Sequence, residues 1–142
     1  MSTISSSLRI LISIMKVQSV IARRFDRLSV HGLGFSDFVI LNLLDNAPAK
    51  KMRRVDLAEK IGLTASGVTR LLLPMEKTGY VKRESNQRDG RVSYVVLTDV
   101  GRNIYEEAVH TAELIACELL PPLKSKDLKV LSEALYIMGG NL

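Results

Sequence analysis

The sequence is short of the residues that metal, redox and disulfide chemistry need. One cysteine stands among 142 residues, which excludes an intrachain disulfide framework and fits a reducing cytoplasm. The two histidines, His31 and His110, have no second ligand three or four residues away and no cysteine nearby, so no metal-binding set is expected. Paired catalytic carboxylates, a Ser/His/Asp or Cys/His arrangement and a phosphate-cradling glycine loop are all missing. Their absence argues against an enzyme and leaves no catalytic residue or cofactor to assign. No apolar run is long enough to span a membrane either. Arg9, Lys16, Arg23 and Arg24 interrupt every window of about 20 residues in the apolar N-terminal stretch. The same residues break up what a secretory leader would need, and no clear cleavage motif follows. No repeat or low-complexity segment appears.

What is present is one domain's worth of chain, long enough to bury a real core, with charge laid out unevenly. Residues 1–49 hold five Lys/Arg against three Asp/Glu, residues 50–102 twelve against six, and residues 103–142 three against six. The formal net charge of +5 is thus concentrated in the middle third and reversed in the last. That asymmetry suits a polyanion bound at one end of the molecule.

The middle third carries the strongest pattern. Leu57, Ala58 and Ile61 fall on one helical face, and Gly62 supplies the backbone freedom to turn a corner. Thr64 is placed to cap a second helix, in which Val68, Leu71, Leu72 and Met75 repeat as a single buried stripe. Ala65, Ser66, Thr69 and Arg70 are then expected to face outward, as is Leu73. Short or hydrogen-bonding side chains there let a helix approach base edges and phosphates closely. Two striped helices joined by a glycine turn make a helix-turn-helix pattern. Pro74 lies deep in the second helix, where it deletes one backbone hydrogen bond and should bend it.

Next comes a hairpin. Tyr80–Glu84 and Arg91–Thr98 read as strands, with Asp89-Gly90 a tight-turn signal between them. The hairpin carries Lys82, Arg83, Arg88 and Arg91 against Glu84 and Asp89. An arginine-bearing hairpin directly after a helix-turn-helix is a wing, able to reach a phosphate row or the minor groove.

This stretch resembles the MarR family (multiple antibiotic resistance regulators) of winged-helix transcription factors. The resemblance lies in Leu57–Gly62, Ser66–Arg70, Met75–Val81, Arg88–Arg91, Leu97-Thr98 and Gly101, and extends more weakly over nearly the whole chain. One departure is Asn86, where the family usually has an aspartate. The resemblance implies a mainly α, α+β winged helix-turn-helix fold of about six helices and a small β-wing. Its reading head would be 36–101, and a dimerisation platform would come from 1–31 and 102–142. It also implies a short strand near Lys50–Arg54 pairing with the wing.

The flanks read accordingly. Met1–Ser7 is polar and expected to fray. Leu8 to about Ser29 reads as one long helix with two apolar stripes, one through Leu8, Leu11, Ile12 and Met15, the other through Ile10, Ile14, Val17 and Ile21. Such a helix needs cover on more than one side, and a second subunit would provide it. Ser36 with Asp37 opens a core helix bearing Phe38, Leu41 and Leu44. Thr98 caps a long helix with Val100, Ile104, Ala108, Ala112, Ile115 and Leu119 in one stripe; Pro121-Pro122 stops it. A last helix starts at Ser125 and Asp127 and ends at Gly139-Gly140. Cys117 lies on the platform as a buried structural thiol.

The residues expected at DNA follow. On the recognition helix they are Thr64, Ala65, Ser66, Thr69 and Arg70, with Arg70 reading a guanine or gripping a phosphate. On the wing they are Arg88, Asp89 and Arg91, where Arg91 is the minor-groove residue by resemblance and Asp89 orients an arginine. Arg53, Arg54, Lys77 and Lys82 are backbone candidates. The function expected is a homodimeric, cytoplasmic, sequence-specific DNA-binding regulator on a pseudo-palindromic operator, with half-sites about ten base pairs apart. By resemblance it is a repressor relieved by a small molecule that binds between platform and reading head. The alternative is a winged-helix protein–protein interaction module that does not bind DNA.

Overall fold

The computed structural model describes residues 3–142. Of the polar start, Met1 and Ser2 lie outside the described residues, and the expectation of fraying is corrected for Ser5–Ser7. Ser5 accepts a hydrogen bond from the Leu8 N–H at 3.1 Å and caps α1, Ser6–Arg24. The single helix expected to run to Ser29 stops at Arg24. From Phe25 to His31 the chain tightens into a 3-10 helix, which eclipses residues three apart and buries Phe25 and Leu28 on one edge. Phe25 stacks on Phe35 with ring centroids 4.0 Å apart.

α2, Phe35–Asp45, is capped by Gly34 rather than opened by Ser36. The Asp37 carboxylate in its first turn accepts the Gly34 N–H at 2.8 Å, so one of the two expected residues does the work. A 3-10 turn at Pro48–Lys50 leads to β1, Lys51–Arg53, and directly to α3, Arg54–Ile61. Gly62, at φ +77°, turns the chain. Thr64 then caps α4, Ala65–Lys77, by accepting the Gly67 N–H at 3.1 Å. α4 runs on through Pro74.

β2, Val81–Ser85, and β3, Ser93–Leu97, form the hairpin, and β1 pairs with the far side of β3, giving the antiparallel order β1-β3-β2. Val95 is the central rung, opposite Met52 on one side and Arg83 on the other. β2 has the expected length but is shifted by one residue, β3 is shorter than expected, and the turn is longer. Residues 86–92 form a loop closed by Asn86 N–H to Val92 C=O and Val92 N–H to Asp89 C=O, both 3.0 Å. α5, Asp99–Leu119, and α6, Ser125–Ile137, complete six α-helices among the described residues.

One core joins these parts. Leu28, Ile40, Leu41, Leu44, Leu57, Val68, Leu72 and Ile115 are fully buried in a single cluster with Val81 and Val95. α5 is part of it through Ala108, Ala112 and Ile115, so the core crosses residue 101. His31 Nε2 to Thr111 Oγ1 at 2.8 Å, Tyr105 donating to Asn42 at 2.7 Å and Arg27 to Glu118 at 2.6 Å hold α5 across the chain. At its start the Thr98 hydroxyl donates to the Gly79 and Tyr80 carbonyls and accepts the Gly101 N–H at 3.0 Å. Gly101 is buried there so tightly that an added Cβ would lie 2.0 Å from the Tyr80 carbonyl oxygen. This knot sets the angle between α5 and the base of the hairpin.

α1 and α6 differ from everything else. Neither buries a single residue. Ile10, Leu11, Met15, Val17, Val130 and Ile137 stand exposed. No helix among the described residues is long and apolar enough to cross a membrane.

Candidate nucleic-acid interface

The stripe of α4 does what its spacing predicts: Val68, Leu72 and Met75 are buried against the core. The opposite face is thereby held out. Ala65, Ser66, Arg70 and Lys77 are exposed, and Leu73 is 46% exposed beside them. The hydroxyls of Thr64 and Ser66 lie 3.2 Å apart at the helix start. Thr69 departs from the expectation of an outward side chain. It is half-buried; its hydroxyl donates to the Ala65 carbonyl at 3.0 Å and accepts from Arg54 Nη1 at 2.9 Å.

Arg54 is likewise no free cation on the surface. Its side chain, 19% exposed, reaches from the first turn of α3 to Thr69 and to Glu76 Oε1 at 3.4 Å, and Arg83 of β2 approaches the same Glu76 oxygen at 3.8 Å. Burial pulls the Arg54 guanidinium below the ordinary arginine pKa, with Arg83 pulling the same way and Glu76 opposing. An arginine stays charged regardless. The cluster locks α3, α4 and β2 together with charge-assisted bonds. Glu76 and Arg83 were not expected in this role, because Glu76 sits between two cations, Arg54 lying more than twenty positions upstream and Arg83 on the following strand, and only the fold brings the three together. Arg53 is also engaged, forming a two-pronged pair with Asp56 at 2.9 and 3.1 Å.

At the hairpin tip, Asn86 Oδ1 accepts the backbone N–H groups of Arg88 at 2.8 Å and Asp89 at 3.3 Å. A neutral amide oxygen thus shapes the loop by a local side-chain-to-backbone turn. Asp89 orients an arginine as expected: its Oδ1 accepts from the Arg91 N–H at 3.0 Å and from Arg91 Nε at 3.2 Å. The Arg91 side chain is nonetheless 93% exposed. Lys51 braces the sheet from the far side, bonding Glu84 at 2.9 Å across β3 and lying 5.0 Å from the Tyr94 ring centroid.

Among the described residues, Arg70, Lys77, Lys82 and Arg88 are exposed and make no ion pair, and Arg91 projects beyond its pairing with Asp89. Recognition helix and wing together therefore carry five basic side chains available to a polyanion. Cys117 corrects the expectation of burial: it is exposed on α5, turned away from the face formed by Ala108, Ala112 and Ile115.

A helix, a glycine turn, a capped second helix and an arginine-tipped hairpin on one core define a winged helix-turn-helix protein. The MarR family model matches residues 31–92. The chain is 29% identical over 138 residues to the HTH-type transcriptional regulator YdgJ of Bacillus subtilis (strain 168), spanning 97% of this chain and 82% of that protein. It is 36% identical over 104 residues to YfiV of the same organism, another HTH-type transcriptional regulator, spanning 68% of this chain and 63% of that one. Sco3205, a MarR family transcriptional regulator from Streptomyces coelicolor solved in complex with DNA, shares the fold. Its TM-score is 0.85 at 20% identity, over 97% of this chain and 89% of that one. The winged helix-turn-helix segment, residues 31–92, is thus that of the MarR family, and along its length the chain is similar to HTH-type transcriptional regulators, which are not enzymes.

Proposed function

We propose that the protein is a homodimeric, sequence-specific DNA-binding regulator working in the cytoplasm. The observation that carries this reading is the set of five exposed cations on α4 and the wing, standing over side chains that are themselves buried. α4 enters a major groove by its first two turns, where Thr64, Ala65, Ser66 and Arg70 meet base edges and phosphates. The loop 86–92 lies along the neighbouring backbone or minor groove with Arg88 and Arg91, and Lys77 and Lys82 neutralise phosphates beside them. Asp89 acts through Arg91. Arg54 serves inside the protein rather than at the phosphates, since its largely buried side chain holds Thr69 and Glu76; Arg53, exposed and paired with Asp56, remains a backbone candidate.

The dimer is supported by the bare apolar faces of α1 and α6, which one chain leaves in water. Residues 1–31 and 102–142 form the platform and 36–101 the reading head. Two-fold pairing places the two α4 helices on successive major-groove faces of a pseudo-palindromic operator. By its family, the protein represses, and a small molecule binding between platform and head relieves repression by favouring a dimer geometry in which the α4 helices no longer match the half-sites. Selection from random duplex DNA tests the reading. A two-fold symmetric consensus, bound with affinity that falls steeply with salt, is the expected result. Protein that ignores duplex DNA at low ionic strength would instead be the protein–protein module.

A further inference from the structure

Thr69 occupies the centre of the recognition helix, one turn beyond Ala65 and one turn before Leu73 on the same i, i+4 row. Its side chain has two branches. A threonine hydroxyl owns one proton, and here that proton is spent on the Ala65 carbonyl at 3.0 Å. One of its lone pairs is taken by Arg54 Nη1 at 2.9 Å. Arg54 is in turn fixed by Glu76, which Arg83 braces from β2. The oxygen is therefore held against α4's own backbone and the start of α3 by residues from three elements. It has no proton left to give to a base. The branch left for a groove in front of the helix is the Cγ2 methyl, flanked on its row by the exposed Ala65 methyl and by Leu73.

Resting on the DNA-binding reading above, we infer that Thr69 is a specificity-determining residue that recognises the 5-methyl group of thymine rather than a hydrogen-bonding edge, and that Arg54 is the positioning residue that commits it to this. The thymine methyl is the one apolar feature of a major-groove edge, and small methyl-bearing side chains pair with it. Ala65 and Leu73 extend the apolar row, which gives the otherwise unexplained outward leucine a role. Arg70 lies on the adjacent row with Ser66, so a half-site read by this helix combines one guanine contact with thymine methyls.

The test uses the duplex recovered by selection from random DNA and the full-length protein. Thymines of each half-site are replaced one at a time by deoxyuridine, which removes only the methyl and needs no protein variant. Affinity should fall by roughly fourfold per half-site at the thymine under Thr69, the worth of one buried methyl group. Thr69→Val should bind that duplex as wild type does, whereas Thr69→Ser should lose the same factor and be indifferent to the uracil substitution. Arg54→Ala frees the hydroxyl and should weaken the thymine-over-uracil preference while the protein still binds duplex DNA. If Thr69→Ser binds normally and Thr69→Val does not, the hydroxyl is the reader and the inference is overturned, with DNA binding intact. Indifference of wild type to every uracil substitution overturns it as well. Failure to recover any bound duplex overturns the DNA-binding reading itself, and this inference with it.

Discussion

α4 and α6 are both thirteen residues long and both amphipathic, yet they end up in opposite situations. α4 buries Val68, Leu72 and Met75 in the core of its own chain, whereas α6 buries none of Leu128, Leu131 and Leu135. The difference is what each stripe finds to cover it. α4 is hemmed in by α2, α3 and β2, and its polar face is consequently held at a fixed angle to the wing. α6 and α1 carry equally apolar stripes, and apart from Ile21 at the end of α1, which packs on the core, their own chain leaves these stripes exposed. An amphipathic pattern states that a face must be covered; it does not say by which molecule.

Substitutions can break this comparison. Leu72→Ala removes a fully buried side chain and should cost about 2–5 kcal/mol of stability, read as a lowered urea midpoint. Leu131→Glu on α6 should leave helical circular dichroism intact but turn a sedimenting dimer into a monomer; a monomeric wild type would undo the platform. Gly101→Ala comes next, because its methyl would strike the Tyr80 carbonyl at 2.0 Å. A loss of about 1–3 kcal/mol is expected from that overpacking, with weaker DNA binding from a displaced hairpin. No change in either would mean α5 can slide away from the wing at no cost. Arg91→Ala should leave stability unchanged and reduce the salt dependence of DNA affinity by roughly one unit of slope. An unaltered slope would place the wing away from phosphates.

The smallest effect concerns pH. The hydrogen bond from Arg53, opposed slightly by burial and joined by the Arg53 charge, holds the Asp56 carboxyl below its ordinary value of 3.8. A folded-state pKa that is depressed contributes stability above the unfolded carboxylate range and loses it as pH falls through the folded value. Asp56→Asn should therefore lower stability slightly at neutral pH, leave it unchanged once pH has fallen past the folded carboxyl value, and so flatten a small part of the acid limb below about pH 4. An acid limb identical to wild type would show that this exposed pair contributes nothing, as many surface pairs do.

Local features were legible in the chain. The caps at Thr64 and Thr98, the turn at Gly62, the stripe of α4 and the pairing of Asp89 with Arg91 involve residues within a few positions of one another, and short-range geometry dictates them. The 3-10 segment was not legible, because it exists to put Phe25 against Phe35 and Leu28 into the core. Nor was the hairpin's true length, since Asn86 and Val92 close the loop outside the Asp89-Gly90 signal. The candidate site divided in the same way. Ala65, Ser66 and Arg70 face out because the buried stripe leaves them no other side, whereas Thr69 and Arg54 were misjudged as free. Their engagement depends on a contact fifteen residues apart in sequence.

The sequence by itself determined where α4 and α5 begin, which faces are apolar, where positive charge accumulates and which family's motifs recur. Each follows from periodicity, capping chemistry or composition acting within a few residues. Only the tertiary structure decided that Arg54 points inward to a threonine and a glutamate, that Gly101 is pressed against a carbonyl, that Cys117 is exposed, and that two helices remain uncovered by their own chain. Those outcomes depend on which distant surfaces meet, and a side chain's partners are set by packing across the fold rather than by its neighbours along the chain.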